Sequence, residues 1–164
     1  MRKSALGFGL AALIVVLTHA AAFPADGSYE ATYKSAKEGD IVVIDKGGEE
    51  ITVRVWGVAC PHKKQPYAKK ARNFTQNMLY QRTFVVKPIA TAEDGLPWVE
   101  LVLKEGPNVG QELARKGLAW ANPQHADPAI KTLESEARAA KEGLWSQGKP
   151  VPPWEYKGIG NKKK

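Results

Sequence analysis

Two β-branched runs constrain the fold more than any other feature of this chain. Ile41-Val-Val-Ile44 and Ile51-Thr-Val-Arg-Val-Trp56 are separated by Lys46-Gly47-Gly48, a tight-turn signal, and the second run alternates with period 2. Such a pattern places one face of each strand on a core and predicts a hairpin turning near Gly47. Tyr29-Glu-Ala-Thr-Tyr33 alternates in the same way, and Thr83 to Lys87 and Trp98 to Leu103 are further strands around the loop Pro88 to Pro97. Between the third and fourth of these strands the period changes. From Gln65 to Leu79, with Pro66 near the start, Ala68, Ala71, Phe74, Thr75 and Met78 recur at helical spacing, while Lys69, Lys70 and Arg72 lie on the other face. Two more helices are expected, Val109 to Lys116 closed by Gly117, and a run capped by Asp127-Pro128 whose stripe is Ile130, Leu133, Ala137 and Ala140. The predicted class is α+β: five antiparallel strands closing a small barrel, with three α-helices, in the OB-fold arrangement.

The chain has 164 residues, which suits one domain and excludes two enzymatic domains side by side. Arg2 and Lys3 precede an apolar stretch from Ala5 to Leu17, and Ala20-Ala21-Ala22 follows as a small-residue cleavage site. This is the layout of a secretory signal peptide, so residues 1–22 are expected to be removed and the product to be periplasmic or secreted, with no membrane span. Cleavage after Ala22 would lower the net charge from +7 to +5 and leave the protein basic. Excess Lys and Arg point to an anionic partner, nucleic acid or another polyanion. Cys60 is the only cysteine, so no intramolecular disulfide can form and packing must supply the stability. The domain is expected to span residues 29–156, followed by an exposed basic tail at 157–164.

Several motifs occur in a recognisable order: Gly39-Asp40, Thr52-Val-Arg54-Val-Trp-Gly-Val58, Cys60-Pro61, Gln65-Pro66-Tyr67, Glu112-Leu113-Ala-Arg-Lys-Gly117, Glu136-Ala137 through Gly143-Leu144-Trp145-Ser146, and Pro152-Pro153-Trp154-Glu155. Together they resemble the staphylococcal-nuclease-like (thermonuclease) family. The resemblance implies calcium-dependent hydrolysis of DNA and RNA phosphodiesters. In such chemistry a hard cation held by carboxylates polarises the phosphate, a carboxylate activates water, and guanidinium groups neutralise the developing charge. Carried over residue by residue, the resemblance places Asp40 on the first metal-binding aspartate and Arg54 on the first phosphate-binding arginine.

The other three positions of the working set are replaced. Ala59 stands where the family has the second metal carboxylate, His62 where it has the water-activating glutamate, and Leu96 where it has the second arginine. No lysine or arginine lies between Lys87 and Lys104, so a shift of alignment does not restore that arginine. Loss of a general base costs about 10²–10⁴ in rate, and loss of one charge-stabilising donor about 10²–10³. Removing a carboxylate also weakens the calcium site.

Three functional readings follow. In the first, an impaired nuclease-like protein binds nucleic acid through Lys63, Lys64, Lys69, Lys70 and Arg72, with the Tyr67 ring stacking on a base. In the second, Asp40, Arg54 and His62 form an active phosphodiesterase with a different divalent metal. In the third, the barrel is a protein-interaction module of the envelope. Asp40 and Arg54 also have a structural reading, as a cap and its ion-pair partner with Glu38 nearby. His125 is expected in solvent, Cys60 as an inert buried thiol, and Trp56, Trp120, Trp145 and Trp154 in packing.

Overall fold

The computed structural model describes residues 26–156, and the expected leader and basic tail lie outside them. Five strands close a barrel: β1 (Tyr29–Ala36), β2 (Ile41–Lys46), β3 (Glu49–Val55), β5 (Thr83–Thr91) and β6 (Pro97–Leu103), in spatial order β1-β2-β3-β6-β5. A two-residue strand, β4 (Val58–Ala59), follows β3 and pairs with β7 (Trp120–Ala121) in a second, two-stranded sheet. The helices are α1 (Ala68–Leu79), α2 (Val109–Arg115) and α3 (Pro128–Ala139), and a 3₁₀ turn, Gly143–Gln147, ends the regular structure.

The α+β OB-type barrel is as the pattern predicts, but one seam is not antiparallel. β3 runs parallel to β6, with Arg54 opposite Trp98 and Val55 opposite Val99. The reason is arithmetic: five strands in a closed ring cannot alternate direction throughout, so one seam must pair like directions. The β2–β3 hairpin turns at Gly47 and Gly48, both at positive φ, where a side chain would be strained. Inward positions of the strands supply the core, with Val42, Ile44, Val53, Val55, Phe84, Val86, Val99 and Leu101 fully buried. Each contributes about 1.5–3 kcal/mol of transfer free energy.

Helix α1 begins three residues later than the Gln65 start expected from periodicity. Tyr67 sits at φ 67°, in the left-handed region, which breaks the helical path after Pro66. Gln65 holds the preceding turn, its backbone N–H donating to the His62 carbonyl at 2.7 Å and its side-chain Oε1 accepting from the His62 N–H at 2.7 Å. Asp127 caps α3 by accepting from the Ile130 N–H at 2.8 Å, with Pro128 in the first turn, as anticipated. Ile130, Leu133 and Ala137 are buried, whereas Ala140 falls just past the helix and is exposed. Gly117 and Gly143 meet back to back, each at positive φ, and the Leu144 N–H donates to the Gly117 carbonyl at 2.8 Å. A Cβ on either would strike the other segment's backbone, so this contact fixes how the end of α2 meets the final turn.

Candidate phosphodiester and nucleic-acid site

Asp40 enters the site because β1 and β2 are joined by a bend that runs against α1. Gly39 makes that approach feasible: a Cβ there would lie 2.6 Å from the Cys60 Sγ and 2.8 Å from the Ala71 Cβ. The Thr75 hydroxyl donates to the Gly39 carbonyl at 2.6 Å, and the Val55 N–H donates to the Asp40 carbonyl at 2.8 Å. These contacts hold the Asp40 backbone on the barrel rim. Its side chain is 4% exposed, and Oδ1 has no hydrogen-bond partner among the described residues. Burial, reinforced by the negative charge of Glu38, raises its pKa from 3.8 to about 7; nearby backbone amides and Arg54 offset this only in part. The neutral acid is therefore favoured here far more than for a carboxyl in solvent.

Arg54 does not turn to Asp40 or Glu38 as an ion-pair partner. Its Nη2 donates to Asp94 Oδ2 at 2.6 Å, and its guanidinium lies 5.2 Å from the centre of the Trp98 ring. Asp94 stands in the β5–β6 turn, the segment in which the resemblance expects a second arginine. Its Oδ1 also accepts from the Leu96 N–H at 3.2 Å, so this carboxylate both shapes the turn and neutralises Arg54. Leu96 supplies no charge. Ala59, on β4, is tied to Trp120 in the small sheet and offers no ligand.

His62 is exposed and faces Glu38, with 3.7 Å between Nε2 and Oε1. Glu38 thus lies near both His62 and Asp40, yet among the described residues no group of three or more His, Cys, Asp or Glu is placed to hold a metal ion. Calcium needs about 6–8 oxygen ligands. The buried carboxyl of Asp40, with an alanine at the position where the resemblance expects a second ligand, does not fit it. Cys60 is buried, and burial pushes its thiol pKa well up, so it is unreactive as expected.

The sequence-predicted cations gather on one surface. Lys63 and Lys64 in the loop, and Lys69, Lys70 and Arg72 on α1, are all exposed, and none forms an ion pair among the described residues. Lys63, Tyr67, Lys69 and Lys70 line a shallow groove of about 580 Å³. The Lys70 ammonium lies 5.2 Å from the centre of the Tyr67 ring, which is half-buried and whose hydroxyl pairs with Ser146 at 2.9 Å. A smaller depression shared by Lys63, Lys69, Arg72 and Glu38 joins this surface to the His62 side of the site.

Four features were not legible from local patterns. Gln65 is buried and bridges distant segments, its Nε2 donating to the Val151 carbonyl at 2.9 Å. His125 is half-buried rather than free in solvent: its ring packs 4.8 Å from that of Trp56 and 5.3 Å from that of Trp98. Trp154, expected in packing, is 51% exposed. The Asp94 partner of Arg54 lies 40 residues away in sequence, and no local spacing announces it.

Comparison with known proteins agrees with this architecture. The family model described as staphylococcal nuclease homologue matches residues 52–147. An uncharacterized endonuclease of Escherichia coli is 30% identical over 121 residues, covering 73% of this chain and 79% of that protein. Protein ParB of Escherichia coli is 31% identical over 134 residues, 75% of each chain. A staphylococcal-like nuclease of Arabidopsis thaliana is 29% identical over 111 residues, 66% of this chain and 34% of its own length. No helix among the described residues is long and apolar enough to cross a membrane. With the barrel and the helix order, the chain belongs to the staphylococcal nuclease homologue family.

Proposed function

We propose that this protein is an exported member of the nuclease family that binds nucleic acid through the α1 face and hydrolyses phosphodiesters poorly. One observation carries the reading: Arg54 is paired with a carboxylate while the cations of the neighbouring surface are not. Arg54 is neutralised by Asp94 at 2.6 Å, whereas Lys63, Lys69 and Lys70 of the Tyr67 groove, and Lys64 and Arg72, form no ion pair among the described residues. An array of that kind holds a phosphate backbone without reading sequence, and Tyr67 supplies a ring for stacking. The replaced positions Ala59, His62 and Leu96 support the loss of family-type turnover, because neither cation binding nor charge neutralisation is complete without them. Export rests on the leader-like residues 1–22 and is checked by following an alkaline phosphatase fusion to that segment.

The central test is binding of single-stranded oligonucleotides across a salt series, with hydrolysis measured in calcium, manganese and zinc. Tight binding at low salt and a steep loss with added salt are expected, and Lys69→Gln with Lys70→Gln should reduce the slope by about 1.4, near 0.7 for each phosphate contact removed. Absence of low-salt affinity would favour the interaction-module reading, and turnover like that of an ordinary thermonuclease in calcium would refute the impairment.

One contact favours a second reading. Glu38 at 3.7 Å from His62 can orient the imidazole as a general base, beside the depression lined by Lys63, Lys69 and Arg72. That reading requires chelator-sensitive nicking that disappears in His62→Ala.

A further inference from the structure

The family match and the basic groove leave unexplained a second cleft, of about 470 Å³, formed where the chain after the 3₁₀ turn folds back beside α3. Trp120, Trp145 and Trp154 line it, together with Arg138 and Lys149. Trp120 and Trp145 are buried and meet edge to face, with 5.8 Å between ring centres. Arg138 covers Trp145, its guanidinium 4.0 Å from the ring centre, and is held there by Glu134 at 3.0 Å. Trp154 stands opposite as an exposed face, and Lys149 forms no ion pair among the described residues. Pro150 and Pro152 build the adjoining wall, which restricts its backbone in advance of any ligand.

The chemistry of the lining is selective. Trp145 is 8% exposed, and its Nε1–H is buried with no acceptor. No carboxylate lines the cleft, and both charged side chains in it are cations. The volume suits a small ligand, within the range of about 300–1,000 Å³.

We propose that this cleft binds one flat aromatic ring carrying an anionic oxygen group, the chemistry of a single nucleotide unit. The ring stacks on Trp154, and the anionic group is drawn to Lys149, since Arg138 is already paired with Glu134. The site is separate from the Tyr67 groove and from Asp40, and the proposal does not depend on hydrolysis or on binding at α1.

The test is calorimetric titration of the full chain with adenosine monophosphate, with adenosine and inorganic phosphate as separate arms, and tryptophan fluorescence read in parallel. Adenosine monophosphate is expected to bind and quench fluorescence, with adenosine and phosphate each at least about tenfold weaker. Trp154→Ala and Lys149→Gln should each weaken its binding about tenfold. Both residues are exposed, so their replacement leaves the core intact. Lys69→Gln with Lys70→Gln should leave this binding unchanged while weakening oligonucleotide binding at α1. The proposal is overturned if adenosine monophosphate does not bind at millimolar concentration, if adenosine binds equally well, if phosphate alone binds equally well, or if affinity falls with the α1 variant rather than with Trp154→Ala.

Discussion

Replacing Asp40 by asparagine should stabilise the protein above neutral pH, although the resemblance would make this residue a metal ligand. In the folded protein the Asp40 carboxyl titrates near pH 7, against 3.8 when it is free of its surroundings. Between those values the folded state holds a proton that the unfolded state has released, so stability falls as pH rises. The decline starts near pH 4 and is complete a little above pH 7. A shift of about three pH units, at about 1.4 kcal/mol each, is on the order of 4 kcal/mol. That is a large share of the roughly 5–15 kcal/mol that stabilises a domain. Asn cannot ionise and approximates the protonated acid in shape. Urea unfolding of both proteins from pH 5 to pH 9 should give Asp40→Asn a gain of about 1–2 kcal/mol at pH 5, widening to about 4 kcal/mol at pH 8. The same downward slope in Asp40→Asn, or no gain at pH 8, would refute the assignment of the cost to this buried carboxylate. Calcium offers a second check. If it restored the wild-type protein at pH 8, Asp40 would be part of a working cation site and the impairment argument would fail.

Freeing Arg54 by Asp94→Asn should tighten oligonucleotide binding several-fold at low salt, measured by fluorescence anisotropy, because one masked cation becomes available to phosphate. Gly39→Ala forces a methyl group against Cys60 and Ala71 and should cost about 1–3 kcal/mol in urea unfolding. Gln65→Leu leaves the His62 N–H and the Val151 carbonyl without their partners, at a cost of about 1–3 kcal/mol. It should also weaken oligonucleotide binding without removing a charge, since the Lys63–Lys64 loop loses its anchor. Cys60 should resist alkylation by iodoacetamide in the native protein and react fully once urea unfolds it, as mass spectrometry would report.

Period-2 runs and helical stripes marked the elements from Tyr29 to Trp145 because each records, over a few residues, which side chains face a common core. Asp127 before Pro128 marked the start of α3 for a similar reason: capping involves neighbours only three residues apart. The five cations of the α1 surface and the missing charges at Ala59, His62 and Leu96 were likewise present in the sequence, since side-chain chemistry does not depend on folding. Other properties belong to the closed barrel. The parallel β3–β6 seam follows from ring closure, and neither strand's own pattern encodes its partner. Asp94 reached Arg54, Gln65 reached Val151, and three tryptophans came together beside Arg138 only through contacts between segments far apart along the chain. Local sequence determines which groups are available; their charge state and partners depend on burial and proximity, which tertiary packing alone decides.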